Sequence, residues 1–92
     1  MEFEWDESKN SENIKKHDIS FFDAQLAFFD PNRVIAIDTQ HSTEREKRYF
    51  CFGKIDDEVL TVRFTIRSNK IRIIGAGYWR EGRKKYEEKS NL

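Results

Sequence analysis

Apolar and polar positions change their period along this chain, and the changes mark its elements. Phe3 and Trp5 alternate with Glu2 and Glu4, which puts both rings on one face of a short extended piece. Asp6 is suited to cap a helix, so Lys9 to Lys16 reads as a short helix with Ile14 as its main apolar contact. Ser20-Phe21-Phe22-Asp23 opens a second helix as a capping box, with Asp in place of the usual Glu or Gln. Phe21, Ala24, Leu26, Phe28 and Phe29 give that helix a wide apolar face. Asp30-Pro31-Asn32 ends it, because proline lacks a backbone donor and restricts the residue before it.

From Arg33 the pattern becomes extended. Arg33–Asp38, Lys47–Ile55, Val59–Ile66 and Lys70–Trp79 are rich in Val, Ile, Phe, Thr and Tyr and are bounded by turn residues. Asp56-Asp57-Glu58 and Arg67-Ser68-Asn69 are short enough for hairpin loops, which predicts an antiparallel meander. Gly75 and Gly77 predict a bend, a bulge or a close backbone approach late in the last strand. Arg80 to Lys89 then returns to a helical, highly charged pattern. The expectation is an α+β fold with two N-terminal helices, a four-stranded antiparallel meander sheet and a C-terminal helix.

The 92 residues carry no repeat or Gly/Ser linker, so residues 1–92 are expected to form a single domain. Apolar residues at 37% and eight Phe supply one modest core, despite 37% charged residues. The longest uncharged stretch, Ile73 to Trp79, is too short to cross a bilayer. A lone Cys51 makes no internal disulfide and no Cys-based metal site. No charged and apolar leader pattern opens the chain, so a cytoplasmic protein is expected.

Charge is balanced in sum but not in place. Residues 1–60 carry eight basic and fourteen acidic side chains, whereas residues 61–92 carry nine basic and three acidic ones. A basic C-terminal third attracts phosphates or an acidic protein, unless the two halves cancel in the fold. Arg63 interrupts an apolar strand and shares a face with Thr61 and Thr65, while Arg72 shares one with Lys70. Together with Tyr78, Trp79, Arg80 and Lys84 they suggest a cationic surface set with rings. Such a surface suits RNA, because guanidinium groups hold phosphates and rings stack on unpaired bases. It also suits phosphodiester cleavage without a metal, in which a 2′-hydroxyl attacks the adjacent phosphate. The plainer reading is a solvated face with one or two ion pairs.

Other residues are weaker candidates. His17 ends the first helix, where an imidazole interacts with the helix dipole or serves as general acid or base. Asp38-Thr39-Gln40-His41-Ser42 contains the residue types of a catalytic triad, but as a local polar turn without a Gly-rich elbow. His17 and His41 lack the spacing of metal ligands, and no metal or other cofactor is expected.

Three blocks resemble the BrnT toxin family. The first is Phe3-Glu4-Trp5-Asp6-Glu7-Ser8-Lys9, followed by Asn13-Ile14-Lys15-Lys16-His17-Asp18-Ile19-Ser20-Phe21 and Ala24. The second is Asp38, His41-Ser42, Glu46, Arg48 and Gly53, and the third is Ile71-Arg72-Ile73-Ile74-Gly75-Ala76, with Tyr86-Glu87-Glu88 closing the match. The chain departs from the family pattern at Gly77, where an Arg is usual, and Arg80 is the expected replacement. The resemblance implies a RelE-like fold and a ribonuclease toxin that acts on cellular RNA and arrests growth. It also implies a BrnA-type antitoxin as partner, with operator DNA reached only through that antitoxin. On this reading Arg72 and Arg80 contact the phosphate, His17 and Tyr86 transfer protons or orient substrate, and Arg63, Lys70, Tyr78, Trp79 and Lys84 bind RNA. The competing reading is a non-catalytic module that binds an acidic partner and contributes to operon repression.

Overall fold

The computed structural model describes residues 1–90. In chain order these form β1 (Phe3–Trp5), α1 (Glu7–His17), α2 (Phe21–Ala24), a 3₁₀ segment (Gln25–Phe29), β2 (Val34–Ile37), β3 (Arg48–Ile55), β4 (Glu58–Arg67), β5 (Lys70–Gly77) and α3 (Arg80–Ser90). The strands make one sheet in the order β1-β5-β4-β3-β2. The antiparallel meander of β2 to β5 matches the expectation. The four-stranded antiparallel sheet does not, because β1 adds a fifth strand that pairs parallel with β5, Phe3 facing Ile71 and Trp5 facing Ile73. Three residues at one end of a chain carry no periodic signal that names a partner at the other end.

Local chemistry sets the helices. The Asp6 carboxylate accepts from the backbone N–H groups of Ser8 at 2.8 Å and Lys9 at 3.4 Å, relieving two of the unpaired donors at the start of α1. These bonds and the Ser8 hydroxyl, the largest influence, hold the Asp6 carboxyl below its usual pKa. The helix ends where Asp18 turns left-handed, with φ 56°, and donates its N–H to the Ile14 carbonyl. Its inward residue is not Ile14, which is exposed, but Asn13, which is buried. Ser20 caps α2 as expected, but one α turn tightens into 3₁₀ geometry at Gln25. That change of period turns Phe21, Ala24, Ala27 and Phe28 inward and leaves Leu26 and Phe29 outside, unlike the face a continuous helix would bury.

Two hydrophobic clusters lie on opposite faces of the sheet. Beneath α2 and the 3₁₀ segment, Phe21, Phe28, Leu60, Val62, Phe64, Ile71 and Ile73 form the larger one. Beneath α3, Phe52, Val59 and Tyr86 form the smaller. α3 seats tightly because Gly82 has no Cβ; one there would collide with the Thr61 hydroxyl. The two hairpins turn through Asp56 (φ 57°) and through Ser68 and Asn69 (φ 53° and 63°), small polar residues that tolerate the left-handed region.

Candidate functional site

At the outer edge of β5, β1 ends opposite Ile73 and the ladder would be left open. Asn13 continues it. Its amide donates to the Ala76 carbonyl at 2.9 Å, and its Oδ1 accepts the Ala76 N–H at 3.1 Å. The same amide donates to the Ile19 carbonyl at 3.0 Å, so one buried side chain ties α1, the following loop and β5 together. On the other side of β5 the pairing slips: Arg63 faces Gly75 but Phe64 faces Ile73, which leaves Ile74 as a bulge. Of the bend, bulge or close approach expected from Gly75 and Gly77, a bulge is therefore present, one residue before Gly75.

α1, β4, β5 and Trp79 enclose a cleft of about 270 Å³. Lys9, Glu12, Asn13, Lys16 and His17 line it from α1, and Arg63, Ile74, Gly75 and Trp79 from the other side. A Cβ at Gly75 would lie 3.7 Å from Arg63 Nη1, so the guanidinium lies across that glycine. Gly77 has a related role: a Cβ there would sit 2.6 Å from the Trp79 ring, so only glycine lets the indole lie flat against the end of β5. The His17 ring meets that indole edge to face, with centroids 5.1 Å apart. Three permanent cations thus face one carboxylate, Glu12. Among the described residues, no carboxylate lies within 4.0 Å of the Arg63 guanidinium to neutralise it.

The other candidate residues lie outside this cleft. Arg72 shares the face of Arg63, since it stands opposite Thr65. Its guanidinium is held by Glu4 at 3.1 Å, with both side chains about a third exposed or less. Lys70 lies at the hairpin end of β5. Arg80 follows the far end of that strand, so Arg72 and Arg80 share no cleft. Arg80 instead lines a second cleft of about 280 Å³ with Asp57, Glu58, Val59, Tyr78, Trp79 and Arg83. Lys84 lies on the exposed surface of α3 near Arg83 and Glu87. Tyr86 is buried in the smaller cluster, where its hydroxyl donates to Asp30 Oδ2 at 2.6 Å. Burial, reinforced by that bond, pushes its phenol up to about 12. Burial opposes ionisation of Asp30, but the Tyr86 hydroxyl and the Lys54 and Asn32 N–H groups outweigh it and lower its pKa.

The Asp38–Ser42 turn is a structural clip. Asp38 is buried, accepts the His41 N–H at 3.2 Å and meets His41 Nδ1 at 2.8 Å. The Ser42 hydroxyl donates to the Asp38 carbonyl at 2.7 Å and accepts the Arg48 N–H at 2.8 Å. It is committed to closing the loop between β2 and β3. Glu46 serves the same region by pairing with Arg67 at 2.8 Å, the bond that chiefly lowers its pKa. Among the described residues, no group of three or more His, Cys, Asp or Glu is placed to hold a metal ion.

Lys9, Glu12 and Lys16 are the site residues that the strand-centred reading missed. A signal existed: positions 9, 12, 13, 16 and 17 fall on one side of a helix by the i, i+3, i+4 rule.

A mixed sheet that carries a cationic, ring-walled cleft defines a small α+β protein equipped to hold an anion. The family model for the ribonuclease toxin BrnT of type II toxin–antitoxin systems matches residues 5–82, and the chain belongs to that family. The family makes it a ribonuclease toxin with an antitoxin as partner. Among curated proteins, none matches the chain. Among the described residues, no helix is long and apolar enough to cross a membrane.

Proposed function

We propose that this chain is a RelE-like, metal-independent endoribonuclease whose scissile phosphate sits in the α1–β4–β5 cleft. The observation that carries the reading is Arg63: a half-buried guanidinium with no carboxylate partner among the described residues, between Lys9, Lys16 and His17. A partly desolvated cation of this kind stabilises charge that develops on a phosphoryl oxygen. In the cleavage step the substrate 2′-oxygen loses its proton to the Glu12 carboxylate and attacks the adjacent phosphorus. The bond from phosphorus to the 5′-oxygen breaks, and that oxygen takes a proton from the His17 imidazolium. The products are a 2′,3′-cyclic phosphate and a free 5′-hydroxyl. Trp79 supports the His17 ring and offers its indole to a neighbouring base. Arg72 acts with Glu4 in fastening β1, and Tyr86 with Asp30 in fastening α3.

The partner in this reading is a BrnA-type antitoxin, with operator DNA reached only through it, in the cytoplasm. The test is incubation of the purified protein with single-stranded RNA in EDTA. Cyclic-phosphate ends should form. Arg63→Gln should slow cleavage by ~10²–10³-fold and His17→Gln by ~10²–10⁴-fold. Full activity in both variants, or activity that needs an added metal, overturns the proposal.

A further inference from the structure

Trp79 lines two clefts, one with an excess of cations and one in which two guanidinium groups stand beside two carboxylates. The indole is shared by the Arg63 cleft and the Arg80 cleft, which makes them neighbours. The second cleft has its own equipment. Arg80 and Arg83 stand one helical turn apart on α3, and Tyr78 beside them is 41% exposed. Asp57 and Glu58 line the same cleft, yet among the described residues neither lies within 4.0 Å of a guanidinium. Burial is the first cause that raises the pKa of the Tyr78 phenol, followed by Glu58 and Asp56.

We infer that the Tyr78–Arg80–Arg83 cleft is a second nucleotide subsite, which holds the phosphate and base next to the cleaved linkage. This rests on the reading of the Arg63 cleft as the place of cleavage. Only an extended, unpaired strand can follow that path. The shared indole makes the two clefts neighbours, so one unpaired strand lays neighbouring phosphates into them, whereas a stacked duplex holds its bases away from such rings. Tyr78 and Trp79 then flank the base between them. Stacking of this kind is sequence-tolerant, since every base has a π-face. The carboxylates of Asp57 and Glu58 are placed to accept from exocyclic amino groups, which favours adenine, cytosine or guanine over uracil in this subsite. Arg80 and Arg83 are positioning residues here. They act on how the strand lies and not on the reacting atoms.

The test uses the full chain and a single-stranded 12-mer RNA of mixed sequence, with a 2′-O-methyl version that cannot be cleaved for equilibrium binding. Arg80→Gln with Arg83→Gln should weaken binding of the 2′-O-methyl 12-mer about tenfold or more. The slope of log Kd against log salt should shrink by about 0.7 for each phosphate that the protein no longer neutralises. On the cleavable 12-mer the loss should fall in KM far more than in kcat. Tyr78→Leu should weaken binding with no change in the salt slope, because it removes a ring and no charge. An unchanged salt slope in the double variant overturns the subsite. So does a loss confined to binding of an acidic protein partner, which would make the cleft a protein-binding surface. The failures separate cleanly. If RNA is never cleaved, the reading of the Arg63 cleft falls while the binding slopes still judge this one.

Discussion

The two faces of the sheet are built from one strand but to different ends. In β4, Leu60, Val62 and Phe64 point beneath α2 and are essentially fully buried. Val59, Thr61 and Thr65 point the other way and are buried almost as well. Arg63 alone is half-buried in that run of seven residues. The first face is closed by apolar contact, and its stability comes from area removed from water. The second is closed by α3 around Val59 and Thr61, and beside α3 it opens into the clefts around Trp79. The contrast teaches that the larger core lies on one face, while the face that carries the smaller cluster is left open where the proposed cleavage cleft lies.

That contrast can be broken deliberately. Phe21 is fully buried and meets Trp5 edge to face with centroids 6.3 Å apart. Phe21→Ala should cost about 3–5 kcal/mol in denaturant unfolding. Arg63→Gln, which slows cleavage by ~10²–10³-fold under the proposal, should move the same transition by less than about 0.5 kcal/mol. Comparable losses of stability in both would show that the faces are not independent.

Asn13 is where the two duties meet, and its replacement sharpens the comparison. Asn13→Ala leaves the Ala76 N–H and carbonyl unpaired at a buried edge, at a cost of about 1–3 kcal/mol. It should also loosen α1, so that cleavage falls even at temperatures where the variant is folded. Asn13→Asp should not rescue it, because a carboxylate cannot donate to the two carbonyls.

A last comparison is expected in alkali, between one buried ionisable group on each face. Burial, above all, pushes the Cys51 thiol up to about 12 from 9.0. Tyr86, on the other face, rises to about 12 from 10.0. Both groups stay protonated in the folded chain over a range in which the unfolded chain releases its protons. The folded state therefore binds more protons, and stability should decline steadily as pH rises from about 9 to about 12. Cys51→Ala should remove the lower part of this decline and Tyr86→Phe the upper part, as read from unfolding midpoints in a pH series.

The legible parts of the fold were those set by neighbours in sequence. Asp6 and Ser20 cap helices because a side-chain oxygen reaches backbone donors two or three residues on. The strands from Val34 to Gly77 follow from a period of two, and their turns follow from small polar residues. The candidate cations were legible as interruptions of apolar runs, and Arg63 is the one that lines the Arg63–His17 cleft. Arg72 has the same local signature, but whether a carboxylate meets it depends on β1, which arrives from the other end of the chain.

By itself, then, the order of amino acids determined the elements, their caps and turns, the family, and the residue types available for phosphate chemistry. Tertiary structure decided which of them meet. It placed β1 beside β5, turned Asn13 inward and Ile14 outward, neutralised Arg72, buried Tyr86, and brought His17 against Trp79 and the Arg63 cleft. The physical reason is range. Caps and periods are settled within a few bonds of the backbone, whereas the charge and company of a side chain depend on every segment folded against it.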